Sequence, residues 1–287
     1  MAPTSEGPPA AAGGEVALGD LSVRRLGFGA MRITGKGIWG EPDDIDEAKS
    51  VLRRAVELGV NLIDTADSYG PEVSERLIAD ALSPYPDDLV IATKGGLERG
   101  GPGDWRRNCT PERLREACEA SLRRLGLDRI DVYQLHTVDR DVPLADSVGA
   151  LAELREEGKI RHVGLSNVNV DQLAQAREIV PVVSVQNRYS LSDRRNDQVL
   201  DACEREGLAF LSYFPLAAGD AAEANGAVDE VARRHGASPV QVAIAWLLAR
   251  SEAMLPIPGT SSVEHLEENV AAAALELADD ELQALAG

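Results

Sequence analysis

Along this chain the spacing of apolar residues switches repeatedly between alternation over a few positions and recurrence every three or four. The first rhythm predicts short buried strands and the second amphipathic helices. Residues 15–26, "EVALGDLSVRRL", predict a small hairpin with a Gly-Asp turn. The strand "RLGFGAM" (25–31) then precedes the helix "EPDDIDEAKSVLRRAVELG" (41–59), "VNLIDTAD" (60–67) precedes "VSERLIADALS" (73–83), and "DLVIATKGG" (88–96) precedes "TPERLREACEASLRRLG" (110–126). Likewise "IDVYQLH" (130–136) leads to "PLADSVGALAELREEG" (143–158), "HVGLSNV" (162–168) to "NVDQLAQAREI" (169–179), and "VVSVQNRYS" (182–190) to "RRNDQVLDACEREG" (194–207). "LAFLSYFPL" (208–216) is followed by one helical run from Gly226 to Arg250, and "MLPIPGT" (254–260) by "SVEHLEENVAAAA" (262–274).

Strands alternating with helices pair in parallel through crossovers, and eight such units in one domain predict a closed (β/α)8 TIM barrel over residues 15–287, with a short N-terminal β-hairpin. The alternative is an open doubly wound sheet. That fold carries G-x-G-x-x-G in its first strand-helix turn, and "LGFGAMRITG" lacks the third glycine. Residues 1–14, rich in Pro, Ala and Gly and without a signal-peptide pattern, are expected to be a disordered tail.

The formal net charge of -19 opposes binding to nucleic acid or an anionic membrane, though a local basic pocket for a small phosphate remains compatible with it. Most of the acid sits in helix patterns such as "EPDDIDEAK" and "LADDELQ", read as solvated faces and helix N-termini. No apolar run approaches the ~20 residues of a membrane span. The three cysteines, Cys109, Cys118 and Cys203, have neither disulfide nor metal-ligand spacing. A soluble, cytoplasmic protein is expected, with no demand for more than a monomer.

In a barrel of this kind the strand C-termini and the loops after them form the functional face, and the polar residues gather there. Asp64 and Tyr69 follow strand two, Lys94 closes strand three and His136 strand four; Ser166 and Asn167 close strand five, Gln186 and Asn187 strand six, and Tyr213 strand seven. Singly, each has an ordinary reading. Asp64 could cap a helix, Lys94 could snorkel, His136 could be a satisfied structural residue, and Tyr69 could pack on the rim. Together, a phenol, an ammonium, a carboxylate and an imidazole around one mouth make a proton-transfer site. A Lys94 cation would lower the phenol pKa of Tyr69, Asp64 would keep Lys94 charged, and His136 would donate a hydrogen bond to a carbonyl oxygen as charge grows on it. Asp67 and Ser68 are assigned to turn chemistry, with Asp67 toward solvent.

The segments "NLIDTADSYG", "IATKGG", "VYQLH", "GLSN", "VQNRYS", "SYFPLA" and "PIPGTSSVEHLEEN", in this order from about Leu18 onward, resemble an aldo-keto reductase. The resemblance implies NADPH-linked reduction of aldehydes or ketones, with Tyr69 as general acid, Lys94 and Asp64 tuning it, and His136 orienting the carbonyl. It implies Ser166, Asn167 and Gln186 on the carboxamide of the cofactor and Tyr213 under its nicotinamide ring. Gly29, Ala30, Met31, Pro215 and Leu216 join the cofactor site by the same likeness. Ile257, Pro258, Gly259, Thr260, Ser261, His265, Glu268 and Asn269 belong to the adenosine end. Thr260, Ser261 and Ser262 beside a helix N-terminus suit an anion on physical grounds as well.

Two departures stand out. Many NADPH-dependent relatives carry lysine where this chain has Gly259 and arginine where it has His265, two groups suited to the 2'-phosphate whose absence narrows the margin of NADPH over NADH; NADPH is still the leading cofactor and NADH the second. The loop "AAGDAAEANGA" is shorter than the belt that often covers the cofactor, which predicts faster cofactor release. Trp39 and Trp105 are expected to wall a pocket for a hydrophobic or aromatic aldehyde or ketone, with Thr137, Val138 and Asp139 nearby. A Schiff-base role for Lys94 and a cofactor-sensing regulatory subunit are the alternatives. His162 and His235 are read as structural or exposed.

Overall fold

The computed structural model describes residues 7–215 and 226–286. A hairpin opens the barrel: β1 (Glu15–Leu18) pairs antiparallel with β2 (Leu21–Arg24), turning through Gly19 at φ 68°. The barrel strands follow as β3 (Phe28–Gly29), β4 (Leu62–Asp64) and β5 (Val90–Gly95). A second hairpin, β6 (Leu97–Gly101) with β7 (Asp104–Arg107), interrupts them. Then come β8 (Ile130–Leu135), β9 (Ile160–Ser166), β10 (Val182–Arg188), β11 (Ala209–Tyr213) and β12 (Met254–Pro256).

The barrel strands form one parallel eight-stranded sheet in the order β12-β11-β10-β9-β8-β5-β4-β3. Two backbone hydrogen bonds join its ends, from Gly27 N to the Pro256 carbonyl (3.0 Å) and from Gly29 N to the Pro258 carbonyl (3.3 Å). The sheet is thereby a closed TIM barrel.

Helices α1 (Ile45–Glu57), α2 (Val73–Leu82), α3 (Pro111–Leu125), α4 (Leu144–Glu156), α5 (Val170–Arg177) and α6 (Asp197–Glu206) surround it. They are followed by α7 (Gly226–His235), α8 (Pro239–Arg250), α9 (Val263–Ala271) and α10 (Asp279–Ala286). Their starts are chemically marked. Asp44, Thr110, Asn169, Ser238 and Ser262 each accept a bond from the backbone N–H three residues on, a cap that contributes about 1 kcal/mol per helix. Among the described residues no helix is long and apolar enough to cross a membrane.

Side chains on a strand alternate between faces, and this period positions the site. Leu62, Val90, Ala92, Val132 and Leu211 point inward and fill the barrel with Leu18 and Val23 of the first hairpin, which plugs its lower end. One or two pleats further along the same strands and their ends, the inward positions are Asp64, Lys94, Gln134 and His136, so polar groups meet above an apolar floor. The outward residues Ile63 and Ile91 pack instead against the helices, with Val51 and Leu77.

Three expectations change. Pro9–Gly13 is not a disordered tail but a 3-10 turn; Ala10 is fully buried and its N–H bonds the Leu58 carbonyl at 3.0 Å. The run from Gly226 to Arg250 is two helices, because Gly236 adopts φ 61° and Ser238 starts a new helix with a capping box. The β6–β7 hairpin was not foreseen. The loop after β11, with Leu216 and most of "AAGDAAEANGA", lies outside the described residues, as do residues 1–6 of the expected tail.

Candidate active site

Asp64 and Lys94 lie on neighbouring strands, Gly29 registering with Asp64 and Asp64 with Ala92, two residues before Lys94. Lys94 Nζ donates to Asp64 Oδ2 (2.7 Å), to the Thr65 carbonyl (2.8 Å) and to Tyr69 Oη (3.4 Å). Lys94 is 0% exposed, Asp64 2% and Tyr69 7%. A buried ion pair persists only when its remaining lone pairs are satisfied, and here they are: Asp64 Oδ1 accepts from Gln134 Nε2 (2.9 Å) and Gln186 Nε2 (2.7 Å). These partners are what allow a buried strand to end in a charged group.

Tyr69 is delivered by the turn after β4, where its N–H bonds the Ala66 carbonyl and Gly70 adopts φ 99°. Its ring meets that of His136 edge to face, with centroids 5.8 Å apart. His136 Nδ1 lies 3.4 Å from Ser68 Oγ. Burial, reinforced by the Lys94 charge, holds the His136 pKa well below its usual value, so the ring is neutral at physiological pH. Burial also raises the Tyr69 phenol above its usual value, and the Lys94 cation only partly offsets this. The expected lowering by Lys94 is thus present but outweighed. For Lys94 burial pulls the pKa down, yet Asp64 and Tyr69 together raise it, and the amine stays an ammonium.

Beside these groups runs a cavity of about 620 Å³, lined at its inner end by Asp64, Tyr69, His136, Ser166 and Gln186. Gly29, Met31, Tyr213 and Pro215 form its walls, and Ile257 to Ser261 its far end. Asn167 lines it in a left-handed conformation, φ 59°, which asparagine tolerates better than most residues. Its amide Nδ2 bonds the His136 carbonyl (3.0 Å), and its Oδ1 accepts from Tyr213 Oη (2.7 Å). Asn187 pins the adjoining Val168 through both its N–H and its carbonyl. Ser166 and Asn167 are not the cap of α5; Asn169 is.

The other expected residues are placed differently. Ala30 is buried beneath the wall, while His265, Glu268 and Asn269 are on α9 and do not line the cavity. Trp39 is not a lining residue; its neighbour Ile38 is, and the indole sits behind, over Arg99. Trp105 does line the cavity, at 37% exposure. Thr137, Val138 and Asp139 line a second cavity next to it. Asp67 is buried rather than exposed, 3.4 Å from Arg113. His162 pairs with Asp20 and His235 with Glu281, both away from the mouth. The cavity adds Arg32, Leu97 and Phe214, which sequence reasoning missed. The Arg32 side chain makes no hydrogen bond or ion pair among the described residues and would pack on a side chain at 259.

Fold and site define a TIM-barrel protein in which a buried Asp64–Lys94–Tyr69 cluster stands beside His136 at the inner end of a cleft. Residues 25–287 match the model of the Aldo/keto reductase family. The chain is 51% identical over 267 residues to an uncharacterized oxidoreductase of Schizosaccharomyces pombe, covering 93% of this chain and 87% of that one. It is 46% identical over 276 residues to pyridoxine 4-dehydrogenase of Escherichia coli, covering 94% and 96%. A Klebsiella pneumoniae aldo/keto reductase solved with NADP and acetate superposes with a TM-score of 0.80 at 27% identity, covering 94% of this chain and 93% of that one. The chain belongs to the aldo/keto reductase family.

Proposed function

We propose that this protein reduces aldehydes or ketones to alcohols, reversibly, with NADPH as cofactor and Tyr69 as the general acid. The observation that carries the reading is the Tyr69 Oη to Lys94 Nζ to Asp64 chain, 3.4 Å and 2.7 Å, at the end of a cleft. The cleft fits an extended dinucleotide. Gly29 and Gly259 leave bare backbone along it, and Thr260 and Ser261 stand at its far end just before the α9 N-terminus. Arg32 supplies a cation beside Gly259, where sequence reasoning found none. When bound, a reduced nicotinamide supplies the hydride. The name of the E. coli relative puts pyridoxine, and the aldehyde formed from it by dehydrogenation at position 4, first in a substrate panel.

The protein's own groups divide the remaining work. Tyr69, kept protonated at neutral pH by burial, gives its proton to the carbonyl oxygen, and the adjacent Lys94 ammonium stabilises the phenolate left behind. In the tautomer with its proton on Nε2, His136 would accept from Ser68 at Nδ1 and could hold the carbonyl through Nε2. Asn167 and Gln186 present amides for the carboxamide of the cofactor. The Schiff-base alternative is disfavoured because Lys94 is a hydrogen-bonded ammonium, a poor nucleophile. Steady-state assays with NADPH, then NADH, against a panel of aldehydes separate an enzyme from a cofactor sensor. Tyr69→Phe should cut turnover by about 10²–10⁴ while the NADPH fluorescence titration is unchanged. Undiminished carbonyl reduction in that variant removes Tyr69 from the acid role.

A further inference from the structure

Arg99 of β6 lies between two indoles, its guanidinium carbon 3.7 Å from the ring centroid of Trp105 and 5.5 Å from that of Trp39. Nη1 donates to the carbonyls of Ile38 (2.8 Å) and Ser68 (3.2 Å), and Nη2 to those of Gly37 (3.2 Å) and Gly101 (3.4 Å). One side chain thus ties together the loop after β3, the turn after β4 and the β6–β7 hairpin. The fork geometry of a guanidinium allows this; the point charge of a lysine does not.

What the tie holds matters for the site. Trp105 and Leu97 line both the 620 Å³ cavity and the second cavity of about 840 Å³, whose other walls include Arg107, Thr137, Asp139 and Arg140. The hairpin is therefore a partition between an inner chamber at Tyr69 and an outer polar one. An isolated two-stranded hairpin is marginal in water, so the position of Trp105 depends on its anchors. Arg113 holds the base of the hairpin through Glu98 at 3.0 Å, and Arg99 holds the part that carries Trp105.

We propose that Arg99 is a positioning residue that fixes Trp105 as the wall between the two chambers, and so selects compact carbonyl substrates over elongated ones. This rests on the carbonyl-reductase reading. Releasing the wall merges the chambers, admitting longer molecules and loosening the grip on short ones.

The test compares benzaldehyde with biphenyl-4-carboxaldehyde. Arg99→Ala should move the kcat/KM ratio toward the longer aldehyde by about tenfold, through KM, with NADPH affinity unchanged. Arg99→Lys should move it the same way, and Trp105→Ala combined with Arg99→Ala should add nothing further. In a Trp246→Phe background, where Trp39 and Trp105 are the remaining tryptophans, Arg99→Ala should raise acrylamide quenching about twofold as stacking is lost. An equal loss on both aldehydes, or unchanged quenching, overturns the proposal. A wild-type enzyme that reduces neither these two aldehydes nor any of the panel above overturns the carbonyl-reductase reading and the substrate half with it; one that reduces others of the panel but neither of these two overturns the substrate half alone, and in both cases quenching still decides whether Arg99 holds Trp105.

Discussion

The inner end of the site and its rim are built by different means. At the inner end, Lys94, Asp64, Gln134 and Gln186 are buried side chains on four barrel strands, each bonded to another of the set. Their spacing follows from strand register. At the rim, Arg32, Trp105 and Phe214 come from connections between barrel strands, with the Trp105 and Phe214 rings lying against the long side chains of Arg99 and Arg188. The difference separates a cluster coupled to the fold from a rim that can change without it. On the proposed function, altering the inner end should disturb stability and turnover together, while altering the rim should shift affinity and leave the barrel standing.

Lys94→Met probes the inner end most severely. It strands the Asp64 carboxylate, and breaking a buried pair this way costs about 3–5 kcal/mol of stability. Thermal denaturation should show that loss and steady-state assays a fall in turnover at least as large as that of Tyr69→Phe. A variant that melts like wild type and still turns over would put the inner end on the same footing as the rim.

Asp67, just behind the inner end, sharpens the contrast through pH. Burial, with Glu75 nearby, pushes its carboxyl up to about 7 despite Arg113 and Arg124. The folded chain therefore keeps a proton that the unfolded chain has released, so stability falls as pH rises from the ordinary carboxylate range towards 7. The slope is at most about 1.4 kcal/mol per pH unit, or roughly 2 kcal/mol across the usable window. Asp67→Asn should flatten that contribution, read by denaturant melts from pH 5 to pH 8; an unchanged slope would show that Asp67 ionises as freely as a surface acid.

Arg32→Ala should have the smallest effect. One exposed, charge-assisted contact to a phosphate is worth about 1.4 kcal/mol, a tenfold rise in the NADPH dissociation constant. The melting curve should not move. Equal losses for NADPH and NADH would place Arg32 on a phosphate common to both, and no loss for either would leave it without a role in the cleft.

The same division explains what the sequence made legible. Alternation along "NLIDTAD", "IATKGG" and "VYQLH" displays inward and outward faces directly, so the barrel and the residues at its strand ends could be read. The β6–β7 hairpin could not: "LERGGPGDWRR" has charges and glycines where a strand pattern would show apolar alternation, and it is held by Arg99 and by the Arg113–Glu98 pair. The burial of Asp67 depends on Arg113 from α3, a partner 46 residues away. Trp39 and Trp105 were both legible as loop aromatics. Which one faces the cavity is decided by Arg99 lying over the first and against the second. The missing cation at 259 was visible, but its neighbour from the other end of the chain was not, because no local pattern links residues 32 and 259.

The seam of the barrel closes on bare backbone. A methyl group on Gly29 would lie 2.7 Å from the Ile257 carbonyl oxygen, and one on Gly259 would collide with the carbonyl oxygen of Gly29. The stitch that turns a ribbon of strands into a ring is thus also the smooth lining along which a long ligand would lie. One added carbon there would prise apart the ring and roughen the berth at the same stroke.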